Sequence, residues 1–175
     1  VTREDRVEEY RRLLGQCSRL RAVVPGGSTR QESVRNGVRA LSPDCTLAAI
    51  HDGARPLVTP EAFARCIEAA QSCGAATAAV PVKDTIKLAD EAGRVLDTPD
   101  RSRLWAVQTP QIFDRERYLR AAEEAERRGL SCTDDCQLFE AMGWEVQLVM
   151  GDYRNLKLTT PEDFLAAGAY LEGIK

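Results

Sequence analysis

An aspartate, a glycine, an arginine and a proline follow a short apolar run: Leu47, Ala48, Ala49, Ile50 and His51, then Asp52, Gly53, Ala54, Arg55 and Pro56. The run reads as a buried strand, and in open α/β sheets ligands bind beyond the carboxyl ends of strands. There a guanidinium fork matches the oxygens of a phosphate, and a carboxylate accepts hydroxyl protons or faces a metal ion. The pair points to a hydroxylated, phosphate-bearing ligand. An ordinary loop with a surface ion pair is the equal alternative.

Other polar clusters fall where strands should end. Gly26 and Gly27 precede Ser28, Thr29, Arg30, Gln31, Glu32 and Ser33, and two glycines before a helix can offer backbone N–H groups to a nucleotide. The remaining clusters are Lys83-Asp84-Thr85, Asp100-Arg101, the stretch from Trp105 through Thr109 and Pro110 to Gln111, Thr133-Asp134-Asp135, and Arg154-Asn155-Leu156-Lys157. Each has a plain structural alternative. Asp134 and Asp135 can complement a helix dipole, Lys157 can lie over apolar surface, and Thr109-Pro110 can end a strand. His51 is the only histidine, which leaves no Ser–His–Asp arrangement and no zinc site to expect, and it receives no catalytic role.

These clusters need a scaffold, and the hydrophobic periodicity supplies one. Residues 3–14 carry Val7, Tyr10 and Leu14 at helical spacing. Residues 20–24 form a short apolar strand candidate. Ser28-x-x-Gln31 reads as a capping box before a helix with Val34, Val38 and Leu41 on its inner stripe. Residues 47–50 are a strand. Thr59-Pro60-Glu61 starts a helix with Phe63, Ile67 and Ala70 inward, closed by Gly74. Residues 75–82 are a small, apolar, central strand. Residues 83–105 read as a β-hairpin with a polar tip and little to bury, an element that packs on something else. Residues 104–109 return to the core, helices follow over 114–128 and 134–142, Trp144 to Met150 alternate as a half-exposed strand, and Thr160-Pro161 opens a last helix. Strands joined by helical crossovers predict an α/β domain, a mainly parallel sheet with helices on both faces.

The totals agree. The chain has 175 residues, 43% hydrophobic and 29% charged, enough for one domain with a real core. A net charge of -3 gives no footing for nonspecific nucleic-acid binding, and no apolar run is long enough to span a membrane. The six cysteines, Cys17, Cys45, Cys66, Cys73, Cys132 and Cys136, form no C-x-x-C pair and read as free thiols of a cytoplasmic protein.

Six segments, GGSTRQESVRNG, HDGARP, PVKDTIK, DRSRLWAVQTPQIF, TDDC and NLKLTTPEDF, occur in order over nearly the whole chain. Together they resemble the 2-C-methyl-D-erythritol 4-phosphate cytidylyltransferases of the non-mevalonate isoprenoid pathway. HDGARP and the TPQ-F segment are fairly specific to that family and its close relatives. The resemblance implies a Rossmann-like nucleotidyltransferase domain over residues 1–175, with a projecting β-arm at about 83–105 that reaches across a homodimer. It implies a reaction in which a polyol phosphate attacks the α-phosphorus of CTP and pyrophosphate leaves, with Mg²⁺ accompanying the nucleotide and no metal-ligating residue assigned. Carried over by motif, Gly27, Ser28, Ser33 and Ala54 would contact the nucleotide. Asp52, Arg55, Thr85, Arg101, Thr109 and Thr133 would hold the substrate, Arg101 from the other subunit's arm. Lys157 would be the catalytic cation at the α-phosphate.

One departure qualifies this resemblance. The family's opening strand, its glycine-rich loop with an arginine, and the following lysine in a Pro-Lys setting have no counterpart here. The resemblance therefore implies an N-terminally incomplete domain, with first strand and Gly-rich loop missing. Two alternatives stand beside the main reading: a ribitol-5-phosphate cytidylyltransferase, which shares much of the pattern, and an inactive fragment or dimerisation module.

Overall fold

Small side chains make one strand the centre of the sheet. In the computed structural model, which describes residues 1–173, β2 (Ala75–Pro81) is buried from Ala75 to Val80. It lies in a four-stranded sheet with β1 (Leu47–Ile50), β5 (Trp105–Asp114) and β6 (Gln147–Met150), in the order β1-β5-β2-β6. β2 and β6 pair in parallel, while β5 runs antiparallel to both its neighbours. β1, β2 and β6 therefore share one direction, and β5 runs against them between β1 and β2.

Alternation along the strands sends successive residues to opposite faces. On one face Ala48, Ala75 and Phe113 pack with Tyr118, Ala121, Ala122 and Ala125 of α4 (Arg115–Arg127), with Leu138 and Phe139 of α5 (Cys136–Ala141) and with Val38 of α2 (Arg30–Arg39). On the other, Ala76, Ala78 and Ile112 pack with Cys66 and Ala70 of α3 (Pro60–Cys73). Helices thus cover both faces, as the periodicity predicts. The buried stripe of α3 is Ala62, Cys66 and Ala70 rather than Phe63, Ile67 and Ala70. Small residues lie where the helix meets the alanines of β2, and Ile67 is left exposed.

Helix ends follow the sequence closely. Thr59 caps α3 by accepting from Ala62 N, and Gly74 closes it at φ +91°, the left-handed conformation that favours glycine. The α2 cap falls one residue later than expected. Thr29 accepts from Glu32 N, and the Glu32 carboxylate accepts from Ser28 N and Ser28 Oγ at 2.7 and 2.8 Å. Glu32, at the third helical position, outcompetes Gln31 because an ionised acceptor bonds N–H groups more strongly. α1 (Val7–Leu14) and α6 (Pro161–Glu172) form where predicted, but α1 buries none of its residues.

Two strand expectations change. Residues 20–24 form no ladder; an isolated parallel bridge joins Thr2 to the adjoining Pro25, with Thr2 N donating to Val24 O at 3.0 Å, and Val23 is buried. β5, in turn, runs through Thr109-Pro110 to Asp114 instead of stopping at Thr109. The β2–β5 ladder jumps from Thr77–Gln111 to Ala79–Val107, so Pro110 sits in the irregularity, where its missing N–H removes no ladder bond.

The arm is the expected hairpin. β3 (Leu88–Ala89) pairs antiparallel with β4 (Val95–Asp97), and the Asp90 carboxylate accepts from Ala92 N, Arg94 N and Arg94 Nε to shape the turn. Leu88, Val95 and Leu96 are exposed along it. Among the described residues, no helix is long and apolar enough to cross a membrane.

Candidate active site

β1 ends at Ile50, and the next residues turn over the middle of β5. Thr109 Oγ1 organises that turn. It accepts from Asp52 N at 3.0 Å and lies 2.9 Å from His51 Nδ1, while His51 Nε2 lies 3.1 Å from Arg55 O. A carbonyl can only accept, so Nε2 carries the ring hydrogen in that contact; in this tautomer Nδ1 accepts from the Thr109 hydroxyl. His51 therefore ties Thr109 to Arg55 and also packs on Phe63, at 5.3 Å between rings. It is a structural clamp beside the site.

A second loop, after β6, closes against the first. Gly151 N donates to Ala79 O at 2.8 Å, and a Cβ at Gly151 would lie 2.5 Å from Gln108 Oε1. Only glycine fits that approach without displacing its neighbours. The buried Asn155 amide donates to Thr109 O at 2.8 Å, and the Asn155 carbonyl accepts from Arg55 Nη1 at 2.7 Å. Leu158 N donates to Ala54 O at 2.8 Å. Zipped together in this way, the loops bring Lys157 Nζ to 3.0 Å and Arg55 Nε to 3.5 Å from Asp52 Oδ2.

These residues line a cavity of about 400 Å³, together with Thr109, Thr133, Arg30, Gln111 and Asp134. Burial opposes ionisation of Asp52. The hydrogen bond and charge of Lys157, followed by the charges of Arg55 and Arg30, outweigh it and hold the carboxyl below the usual carboxylate range. An adjoining cavity of about 920 Å³ is lined by Gly27, Ser28, Ser33 and Gly53, and Arg30 and Asp52 line both. Such concave sites with a few convergent polar groups are where small ligands bind.

The structure thus brings Asp52, Arg55, Thr109, Thr133 and Lys157 together around the smaller cavity, with Gly27, Ser28 and Ser33 around the larger. Ala54 sits within the Asp52–Arg55 turn, its carbonyl engaged by Leu158. Thr85 and Arg101 stand at the base of the arm, outside the smaller cavity, and Arg101 Nη1 donates to Lys83 O at 2.6 Å. Within one chain, neither lines that cavity with Asp52, Arg55, Thr109 and Thr133.

One expectation needs correction. The amides of Gly27 and Ser28 are not open donors. Gly27 N donates to Ser33 Oγ at 3.0 Å, and Ser28 N to Glu32 Oε2 at 2.7 Å. The first turn of α2 satisfies its own preceding loop, so a nucleotide meets other groups there or displaces these bonds.

With this geometry in view, comparisons with known proteins are specific. A model of the family described as IspD, 2-C-methyl-D-erythritol 4-phosphate cytidylyltransferase, matches residues 1–173. The chain belongs to this family. It is 51% identical over 155 residues to the 2-C-methyl-D-erythritol 4-phosphate cytidylyltransferase of Desulforamulus reducens, covering 89% of this chain and 66% of that protein. The protein of the same name from Caldanaerobacter subterraneus subsp. tengcongensis is 53% identical over 149 residues, covering 85% and 66%. The chain therefore spans just under two thirds of the length of these relatives. The crystal structure of 4-diphosphocytidyl-2C-methyl-D-erythritol synthase from Anaerococcus prevotii is 36% identical, with a TM-score of 0.90, covering 98% of this chain and 80% of that one.

For an IspD-family chain, the fold class read from periodicity and motif holds: a Rossmann-like α/β domain. Three residues of the polar clusters carry a place at the site that their motifs did not assign. Arg30 lines both cavities, buried Gln111 donates to Asp134 Oδ2 at 3.0 Å, and Asn155 joins the two loops. Arg30 had a signal. It is the first residue of α2, where a cation opposes the helix dipole and needs another reason to be present.

Proposed function

We propose that the protein transfers a cytidylyl group from CTP to 2-C-methyl-D-erythritol 4-phosphate, giving 4-diphosphocytidyl-2-C-methyl-D-erythritol and pyrophosphate, a step of non-mevalonate isoprenoid biosynthesis. Family membership supports this reading, and one geometric observation carries it. Asp52, Arg55, Thr109, Thr133 and Lys157, drawn from separate stretches of chain, face one cavity that adjoins a larger one at Arg30 and Asp52. Two ligands seated side by side would meet at that seam.

In this reaction an oxygen of the substrate phosphate bonds to the α-phosphorus of CTP. The bond from that phosphorus to the bridging oxygen breaks, and its electrons leave with pyrophosphate. The attacking phosphate is already ionised, so no general base is required. The protein's task is to hold two anions together and to stabilise the charge of the pentacoordinate centre. Lys157 takes that task at the α-phosphate. Asp52 holds substrate hydroxyls, and Arg55, Thr109 and Thr133 grip the rest of the polyol phosphate. Gly27, Ser28, Ser33 and Ala54 belong to the nucleotide side.

Mg²⁺ is part of this reading. Asp52 is the carboxylate common to both cavities, and its Oδ2 is already engaged by Lys157 and Arg55. That donor set fits an ion held chiefly by the nucleotide's own phosphates, as magnesium usually is. When bound, it neutralises triphosphate charge. A homodimer in which the exposed apolar arm of one chain delivers Thr85 and Arg101 to its partner's site completes the proposal. The six free thiols suit a reducing, cytoplasmic setting.

The test is pyrophosphate release with CTP and 2-C-methyl-D-erythritol 4-phosphate. Turnover dependent on both substrates is the expected result. Preference for ribitol 5-phosphate would reassign the substrate, and no turnover with either would overturn the reading.

A further inference from the structure

Residues of α2, α4 and β5 converge on Asp135, which the proposed reaction does not use. Asp135, just before α5, is 1% exposed at its side chain. Its Oδ1 accepts from Tyr118 Oη of α4 at 2.9 Å, and its Oδ2 accepts from Arg30 Nη2 of α2 at 2.6 Å. Its backbone N donates to Gln111 Oε1 of β5 at 3.2 Å. Tyr118 is fully buried. Arg30 is not: its side chain is 41% exposed, and it lines both cavities. Among the described residues, the Arg30 side chain makes this one hydrogen bond, so most of its five-donor fork is left open.

We infer that Asp135 and Tyr118 are positioning residues that aim the Arg30 guanidinium at the seam of the two cavities, where it contacts the phosphate passed between them. The inference rests on the two-cavity reading of the function. An arginine held along one edge can still bind a phosphate with the rest of its fork. A rigid, water-excluded anchor removes the cost of ordering that long side chain during the reaction.

The two partners of this contact bear burial unequally. Burial raises the Asp135 carboxyl above its ordinary value of 3.8, and the charge and hydrogen bond of Arg30, then the bond from Tyr118, fail to cancel this. A carboxyl raised in the folded state favours folding when protonated and loses that contribution as pH rises through its folded value. For Arg30, burial lowers the value, but the charge and hydrogen bond of Asp135 outweigh it and hold the guanidinium above its ordinary value.

Chemical rescue tests the inference. Arg30→Ala is expected to lose about 10²-fold in kcat, as removal of one charge-stabilising donor does. Millimolar guanidinium ion should dock on Asp135 and restore about tenfold of this, and the double variant Arg30→Ala/Asp135→Asn should not respond. Asp135→Asn alone should lower kcat, and guanidinium ion should not restore it, because Arg30 is still present. Should that variant fail to fold, Tyr118→Phe carries the same test with a smaller loss. Wild-type kcat in Asp135→Asn or in Tyr118→Phe, or equal rescue with and without Asp135, would overturn the inference while leaving the function intact. Inorganic phosphate binding by calorimetry separates the two claims. An inactive wild type whose phosphate affinity still follows the guanidinium–Asp135 pattern overturns the function alone, and an inactive wild type without that pattern overturns both.

Discussion

Lys157 Nζ lies 3.0 Å from Asp52 Oδ2, and Arg55 Nε lies 3.5 Å from the same oxygen. In this state the cation assigned to the reacting phosphate rests on the carboxylate assigned to the polyol. In the proposed reaction an incoming phosphate would compete with Asp52 for Lys157, and the polyol hydroxyls would replace what Asp52 loses, which would link substrate binding and release of Lys157 at one oxygen.

Lys157→Ala is expected to lower kcat about 10²–10³-fold, because it removes charge that matters most in the transition state. Its effect on folding should stay within about 1 kcal/mol, since the pair is partly solvated, with Lys157 48% exposed. Steady-state rates and urea denaturation on the same preparation check both halves.

Acid should weaken the fold through Asp52. Its carboxyl lies below the ordinary 3.8. A depressed folded-state value contributes stability above the unfolded value, and that contribution is lost as pH falls through the folded one. Wild type should therefore lose stability below about pH 4 more steeply than Asp52→Asn does. Denaturant midpoints measured for both from neutral to acid pH decide the matter, and parallel curves would contradict it.

Thr109→Val keeps the shape and removes the hydroxyl. Asp52 N and His51 Nδ1 then lose their partner in a half-buried turn, a loss of about 1–3 kcal/mol. Thr109→Ser should retain most of the stability and activity. Urea midpoints and KM for the polyol phosphate are the readouts.

Gly151→Ala places a methyl group 2.5 Å from Gln108 Oε1 and 3.3 Å from Ala79 O. The Gln108 amide must then leave Asp152 O and Asn155, or the loop carrying Lys157 must move. The expected cost is about 1–3 kcal/mol, with a fall in kcat. A thermal melt and a rate measurement suffice.

Arg101→Ala and Lys157→Ala should each be nearly inactive. Mixed together, they should regain activity if the arm crosses the dimer. A random mixture of a two-fold dimer leaves about one quarter of sites with both residues intact. No recovery would indicate that Arg101 acts within its own chain or not at all.

Legibility in the sequence followed the range of the forces involved. β1 was readable to the residue because four apolar residues lie between turn-forming ones. α3 was readable because Thr59, Pro60 and Gly74 mark its ends locally. Residues 20–24 misled because an apolar run carries no sign of whether a partner strand exists, and here an isolated Thr2–Pro25 bridge beside the segment stands in place of a ladder. β5 was cut short at Pro110 because the irregularity that accommodates the proline shows only in its pairing with the distant β2. The motif residues around the smaller cavity were legible as types, but the Arg30–Asp135 pair and the Gln111–Asp134 bond are long-range contacts that no local spacing encodes.

Thr109 and Gln111 belong to the interior of a ten-residue strand, whereas Asp52, Arg55 and Lys157 ride on the two loops laid across it. The pocket is a strand platform beneath two loops whose ties are hydrogen bonds rather than a ladder. Amide exchange should be slow in the platform with or without ligand, and occupancy should slow only the loops. Accommodation of polyols of different length can then arise through changes in residues 51–56 and 151–158, leaving the sheet beneath them untouched.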